Sequence, residues 1–361
     1  MDSLKKETVW WRVDAEKPDV EIIKSAAKLL REGKLVAFPT ETVYGLGANG
    51  LDAEASASIY QAKGRPSDNP LILHIADFEA WEPLVQQIPP VAKTLAERFW
   101  PGPLTMILPR SFRVPDVVTG GLETVAVRMP AAAVTRELIR QAGVPVAGPS
   151  ANTSGKPSPT TAEAVWEDLH GRIDAILDCG PCAVGLESTV VDLSGEAPML
   201  LRPGGLTVEA LREVIPNLQL DPSLAGAKVA IPKAPGMKYR HYAPKAAVEV
   251  WEGPEDLVAQ AFLEAWKQDI AGETGFLVTE ELAERLPASS RVIIYGQRRR
   301  PQSLAAGLFA ALRRFDSLPV RSILAEGVEE AGLGQAVMNR LRKAAGQRVR
   351  RFAKGEQKCE S

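Results

Sequence analysis

A lysine, an arginine and an asparagine crowd into Lys63-Gly64-Arg65-Pro66-Ser67-Asp68-Asn69-Pro70, a turn closed by Gly64 and stiffened by two prolines. The apolar run Leu71-Ile72-Leu73-His74-Ile75 follows and reads as a buried strand. Lys63, Arg65 and Asn69 therefore stand at the mouth of a strand, where open α/β sheets build their ligand sites. Arginine offers a planar fork of donors and lysine a mobile point charge, a combination suited to a polyphosphate. A solvated basic turn would use the same residues. The surrounding chain has to decide between them.

Further polar groups stand at the ends of other apolar runs. Arg128 closes the run from Thr124 and precedes Pro130; Arg202 closes another and precedes Pro203-Gly204-Gly205. Ser150 and Asn152 lie just past a third run, and Ser188-Thr189 opens a fourth. One such arginine is an ordinary surface ion pair. Several arginines, hydroxyls and amides at strand ends of one sheet describe a cleft for an anionic ligand. Glu187 has acid/base chemistry but no evident partner. His74 fits a ligand contact and a satisfied core contact equally well.

Three patterns point elsewhere and fail on context. Gly45-Leu46-Gly47-Ala48-Asn49-Gly50 matches G-x-G-x-x-G, yet a loop separates it from the strand at Leu35–Phe38 and its helix starts only after Gly50. Cys179-Gly180-Pro181-Cys182 has thioredoxin spacing, yet no helical face follows to lower a thiol pKa. His74, His170 and His241, the chain's 3 histidines, show no metal-ligand spacing. No P-loop sequence is present.

Helical periodicity marks Val20–Arg31, Ala53–Ala62, Val91–Phe99, Ala133–Ala142, Thr161–Leu169 and Val208–Val214. Strands are expected at 35–38, 71–75, 104–108, 124–128, 144–147, 175–177, 189–193 and 199–201. This mixture predicts a mixed twisted sheet with helices over residues 1–215. Residues 216–245 lose periodicity, are punctuated by prolines and read as a linker. Its Tyr239-Arg240-His241-Tyr242 cluster predicts docking as a lid rather than an idle spacer. From 246 to 361 strands (248–251, 276–278, 292–295, 322–325) alternate with helices (256–268, 280–285, 303–315, 335–344), which predicts a smaller Rossmann-like parallel α/β domain.

Composition is that of an ordinary globular chain: 361 residues, 45% apolar, 24% charged, formal net charge -2. Near-neutral charge argues against a broad nucleic-acid footprint. No apolar run reaches spanning length, the N-terminus has no signal-peptide core, and 3 cysteines fit a reducing compartment, so a cytoplasmic protein is expected.

In order along the chain stand Phe38-Pro39-Thr40-Glu41-Thr42-Val43-Tyr44-Gly45-Leu46, Lys63-Gly64-Arg65-Pro66 with Asn69-Pro70-Leu71, and Pro149-Ser150-Ala151-Asn152-Thr153-Ser154-Gly155. Glu187-Ser188-Thr189, Leu201-Arg202-Pro203-Gly204 and Pro235-Gly236-Met237-Lys238-Tyr239-Arg240-His241-Tyr242-Ala243-Pro244 follow. Together they closely resemble the YrdC-like threonylcarbamoyl-AMP synthases in their long, two-domain form. The resemblance implies formation of threonylcarbamoyl-adenylate from L-threonine, bicarbonate or CO2, and ATP, with release of diphosphate. The product would serve N6-threonylcarbamoyl modification of adenosine 37 in tRNA through a downstream transferase. It further implies a threonine site of Thr42, His74, Arg128, Gly148 and Ser188. The implied ATP site is Arg65, Asn69, Thr124, Ser150, Asn152, Ser158 and Arg202, with Tyr239 or Tyr242 closing over the nucleotide. Lys63, Arg65 and Arg202 would take the catalytic charge-neutralising roles, with Mg2+ arriving on ATP. The family's basic concave sheet leaves weak RNA binding as a second reading, and the two cysteines a redox enzyme as a third. Gly148, where the family often has alanine, is a local departure.

Overall fold

The computed structural model describes residues 6–225 and 241–353. These divide into two compact units, residues 6–154 with 158–225, and residues 155–157 with 241–353.

The first unit holds strands β1 (Val9–Arg12), β2 (Val36–Phe38), β3 (Gly45–Asn49), β4 (Ile72–His74), β5 (Leu104–Pro109) and β6 (Thr124–Arg128). After these come β7 (Val146–Ala147), β8 (Ala175–Asp178), β9 (Thr189–Asp192), β10 (Met199–Arg202) and β11 (Gln219–Leu220). Its helices are α1 (Val20–Arg31), α2 (Ala53–Lys63), α3 (Pro90–Phe99), α4 (Asp116–Thr119), α5 (Ala133–Ala142), α6 (Ala162–Leu169) and α7 (Val208–Arg212). The strands form one mixed sheet in the order β1-β8-β2-β3-β7-β4-β6-β5-β9-β10-β11. The expected mixed sheet is thus present.

The helices obey their sequence signals. Asp19 caps α1 by accepting hydrogen bonds from the Glu21 and Ile22 amides, and Ile23, Ala26, Ala27 and Leu30 form its buried stripe. Asp52 caps α2 in the same way, and Gly64 ends it in the left-handed conformation at φ 61°. That stop leaves Lys63 as the last helical residue, buried at the head of the basic turn.

Register then lines up the polar groups. His74 on β4 lies opposite Arg128 on β6, and Arg128 lies opposite Thr105 on β5. Leu104 on β5 pairs with Thr189 on β9, and Arg202 on β10 with Val190. Successive strands, parallel and antiparallel by turns, therefore bring one polar terminus each to the same end of the sheet centre.

The structure differs from the expectation at several elements. Gly45–Asn49, whose first three residues were expected to end a loop from Thr40 to Gly47, is strand β3, antiparallel to both β2 and β7. Glycine disfavours strands on its own; pairing on both edges overrides that preference. Trp10 and its neighbours form the edge strand β1, paired parallel to β8. Gln219–Leu220, inside the expected linker, adds two residues parallel to β10.

The second unit holds β12 (Ala247–Glu252), β13 (Thr274–Val278), β14 (Val292–Ile294), β15 (Ser322–Glu326) and β16 (Val349–Arg351), with α8 (Glu255–Gln268), α9 (Glu280–Ala283), α10 (Pro301–Arg314) and α11 (Leu333–Ala344). Its sheet runs β14-β13-β15-β12-β16 with every pairing parallel, as the strand–helix alternation predicts. Trp251, Phe262 and Phe276 anchor its core. A buried polar pair sits at the strand ends: Glu326 accepts the Thr279 amide hydrogen bond at 2.6 Å and pairs with Arg298. Burial pushes the Glu326 carboxyl up, against the opposing pull of Arg298. Among the described residues no helix is long and apolar enough to cross a membrane.

Candidate active site

Lys63 is buried against the loop that follows β7. Its ammonium donates to the Ser150 carbonyl, to the Asn152 carbonyl at 2.5 Å and to Asn152 Oδ1 at 3.4 Å. Ser150 Oγ donates to Asn152 Oδ1 at 2.6 Å. Arg65 wraps its own turn, reaching the Asn69 and Pro70 carbonyls at 3.2 and 3.1 Å. The Tyr60 hydroxyl donates to the Val117 and Asn69 carbonyls, and burial pushes its pKa up to about 12. The turn is thus a built scaffold rather than a solvated one. Asn69 is buried, and its Oδ1 has no hydrogen-bond partner.

A second cluster surrounds Arg128, 3% exposed. Its guanidinium donates to Thr42 Oγ1 at 2.9 Å, to Glu41 Oε1 at 2.6 Å and to the Gly102 carbonyl at 3.3 Å. Thr40 and Thr42 share a hydroxyl contact at 2.7 Å. His74 lies beside Arg128 with Nδ1 unpartnered. Burial, with a smaller push from the Arg128 charge, holds the imidazole pKa down to about 3. The ring is therefore neutral at physiological pH.

The third cluster joins β5, β9 and β10. Ser188 Oγ contacts Thr105 Oγ1 at 2.8 Å. Arg202 donates to the Ser188 carbonyl at 3.1 and 3.0 Å and to Ser188 Oγ at 3.2 Å. Ser158 Oγ donates to Glu187 Oε1 at 2.5 Å, and both residues are buried. Gly204 makes this fit possible, because a Cβ there would lie 2.3 Å from the Glu187 carbonyl oxygen.

The structure therefore brings Lys63, Ser150 and Asn152 together, Arg65 with Asn69, Thr42 with Arg128 and His74, and Ser188 with Arg202. A Cβ on Gly148 would stand 3.2 Å from His74 Nδ1, so the 148–152 loop runs from the histidine to Lys63. Thr124 opens β6 half-buried, opposite Pro109. Tyr239 lies outside the described residues. Tyr242 is buried in the second unit, stacked on Phe309 at 5.1 Å with Arg340 over its ring at 5.6 Å, and its φ is 64°. Sequence reasoning assigned no role to Glu41 or Thr105. Each is visible only once folding pairs it with a site residue.

Cys179 and Cys182 are free, and burial pushes both thiols up to about 12. They line a cleft of ≈250 Å³ beside Thr40 and Glu41 and stay protonated at neutral pH, unlike a redox pair. Among the described residues no group of three His, Cys, Asp or Glu side chains could hold a metal ion.

A family model described as telomere recombination matches residues 28–204, and one described as the threonylcarbamoyl-AMP synthase C-terminal domain matches residues 206–346. The chain is 52% identical to a threonylcarbamoyl-AMP synthase of Pyrococcus abyssi over 335 residues, 91% of this chain and 95% of the relative. The chain belongs to the threonylcarbamoyl-AMP synthase family. A Bacillus subtilis threonylcarbamoyl-AMP synthase is 50% identical over 331 residues, 91% of this chain and 94% of its own length. Among solved structures, P. abyssi Sua5 complexed with L-threonine superposes with a TM-score of 0.92 at 51% identity, covering 96% of this chain and 100% of that one. Gly45 and Gly47 of the glycine pattern lie inside strand β3, and α2 starts only at Ala53, so the pattern is not a dinucleotide fingerprint.

Proposed function

We propose that this chain makes threonylcarbamoyl-adenylate from L-threonine, bicarbonate or CO2, and ATP, releasing diphosphate. The observation that carries the reading is its near-complete superposition on a threonine-bound structure at a TM-score of 0.92. The buried cations and hydroxyls support it. Arg128, Thr42, His74, Gly148 and Ser188 would hold threonine, the guanidinium taking the carboxylate. Arg65, Asn69, Thr124, Ser150, Asn152, Ser158 and Arg202 would hold ATP, with Tyr239 or Tyr242 contributing from the linker region. Lys63, Arg65 and Arg202 supply positive charge for the phosphates.

The chemistry asks for positioning more than for covalent help. Threonine's neutral amine attacks CO2 and releases a proton to solvent, and an oxygen of the resulting carbamate then attacks the α-phosphorus as diphosphate leaves. Fixed donors that meet the departing charge lower the barrier without reorganising. A neutral His74 avoids placing another positive charge next to Arg128 and the substrate amine. Mg2+ would enter on the ATP phosphates, since the described residues offer no carboxylate cage for it. In this reading the protein works in the cytoplasm and hands its labile product to a tRNA-modifying transferase.

The test is threonine- and bicarbonate-dependent conversion of α-labelled ATP to an adenylate, with diphosphate exchange measured in parallel. Exchange that ignores both threonine and bicarbonate would overturn the proposal.

A further inference from the structure

Phe38 is fully buried at the end of β2, yet its ring reaches three strands away. It lies directly opposite Gly45 on β3. A Cβ on Gly45 would stand 2.6 Å from the ring, one on Gly47 2.9 Å, and one on Gly148 2.9 Å. Such separations are closer than carbon atoms can pack. Ala48 on β3 pairs with Ala147 on β7, so Gly148 continues that strand alongside the glycines of β3. The three glycines thus form a trough across two strands, and the Phe38 ring lies in it. Beyond β7 the ring meets His74 on β4 edge-on, with centroids 5.5 Å apart and planes at 75°.

We propose that Phe38 is a positioning residue for the reaction: its ring, seated in the Gly45–Gly47–Gly148 trough, fixes the His74 imidazole so that Nδ1 meets bound threonine. The inference rests on the reading that His74 contacts threonine. Three observations carry it. The ring fills the space that three absent side chains leave. It touches the imidazole. And Nδ1, in a residue only 3% exposed, has no partner within the protein. The same ring excludes water from the imidazole and so keeps it neutral. The charged group facing the histidine is Arg128 on β6, itself paired with Glu41 from the loop after β2; β2, β3 and β7 present no titratable side chain to it in the trough. The Val146 and Ile72 carbonyls favour a proton on the ring but are outweighed by burial.

The experiment compares Phe38→Leu, Gly45→Ala, their double variant and His74→Ala in the full chain, measuring KM for threonine and for ATP, kcat, and the pH profile of kcat/KM for threonine. Phe38→Leu should raise the threonine KM about tenfold, the scale of one misplaced hydrogen bond, while the ATP KM stays within about twofold. Water entering beside His74 should lift its pKa toward the ordinary value near 6.5. The acid limb of threonine kcat/KM then moves up toward that pH. Gly45→Ala pushes on the ring and should mimic the first effect; the smaller leucine relieves the push, so the double variant should lose less than the product of the single losses. A uniform loss in both KM values and kcat, an unmoved acid limb, or multiplicative losses in the double variant would each overturn the positioning role. If Phe38→Leu fails to fold, Gly45→Ala alone decides through its threonine-to-ATP KM split and its acid limb. His74→Ala separates the two readings. An unchanged threonine KM there would remove the histidine from the site, whereas an impaired one with unaffected Phe38 and Gly45 variants would reject only the positioning role.

Discussion

Arg202 serves the Ser188 turn and the proposed phosphate site at once, and the two roles can be separated. Its Nε and one terminal nitrogen hold the Ser188 carbonyl at 3.1 and 3.0 Å, a fork that lysine cannot reproduce. Arg202→Lys keeps the charge and should fold, but should lose about 2–4 kcal/mol of transition-state stabilisation, roughly 30- to 1000-fold in rate. Turnover within a few-fold of wild type in a folded variant would remove Arg202 from the chemistry. His74 makes a different prediction, for stability. The unfolded chain protonates this histidine below about pH 6.5, whereas the folded chain does so only near pH 3. Between those values the unfolded state binds more protons, so the stability at stake is complete above the upper pH and is lost as pH falls toward the lower one, by up to roughly 1.4 kcal/mol per pH unit. Urea unfolding at pH 7 and pH 5 should show a larger loss in wild type than in His74→Asn. Equal losses would show that the imidazole is not held neutral by the fold. Lys63, Arg65 and Asn69 were legible from their turn chemistry. Glu41 was not, because nothing near it in sequence shows that its partner is Arg128.

At the scale of elements, helices were legible from their apolar periodicity, and the structure adds that Asp19, Asp52 and Thr161 each accept an amide hydrogen bond at a helix start. Strand β3 was hidden because its two glycines carry no strand preference; it is stabilised by the Phe38 ring and β2 just upstream and by β7, which comes from distant sequence. Strands β1 and β16 were hidden because they are short and lie at sheet edges, where alternation has few residues to show itself. The turn joining β9 to its preceding loop depends on Gly204. A Cβ there would lie 2.3 Å from the Glu187 carbonyl oxygen and 2.5 Å from the Thr189 nitrogen, both backbone atoms that cannot swing aside. Gly204→Ala should therefore displace the 187–189 segment, costing about 1–3 kcal/mol of stability and separating Ser188 from Arg202. The variant should melt earlier and bind threonine more weakly. A melting curve and threonine affinity matching wild type would show that the turn yields without consequence.

At the scale of the whole molecule, each unit has its own apolar core. Leu35, Tyr44, Leu73, Met106 and Val127 belong to the first, and Trp251, Phe262, Phe276 and Val278 to the second. The second unit closes its parallel sheet among residues 247–351, with both edge strands short. Tyr242 already packs on Phe309 within that unit despite its left-handed backbone, a conformation that costs a non-glycine residue about 1–2 kcal/mol and persists only where packing compensates. Residues 241–353 expressed alone should therefore fold cooperatively. Trp251 is buried against Phe262, and Trp266 packs on Phe276, so both report on this core by fluorescence. Urea should produce a single sigmoidal transition, coincident by tryptophan fluorescence and far-ultraviolet circular dichroism. Tyr242→Ala in the same fragment should lower the midpoint by removing the stacked ring from Phe309 and Arg340, at a cost of about 1–3 kcal/mol tempered by relief of the left-handed strain. A gradual, probe-dependent transition would mean that the second core is not sufficient by itself. An unchanged midpoint in Tyr242→Ala would mean that its ring adds nothing to that core.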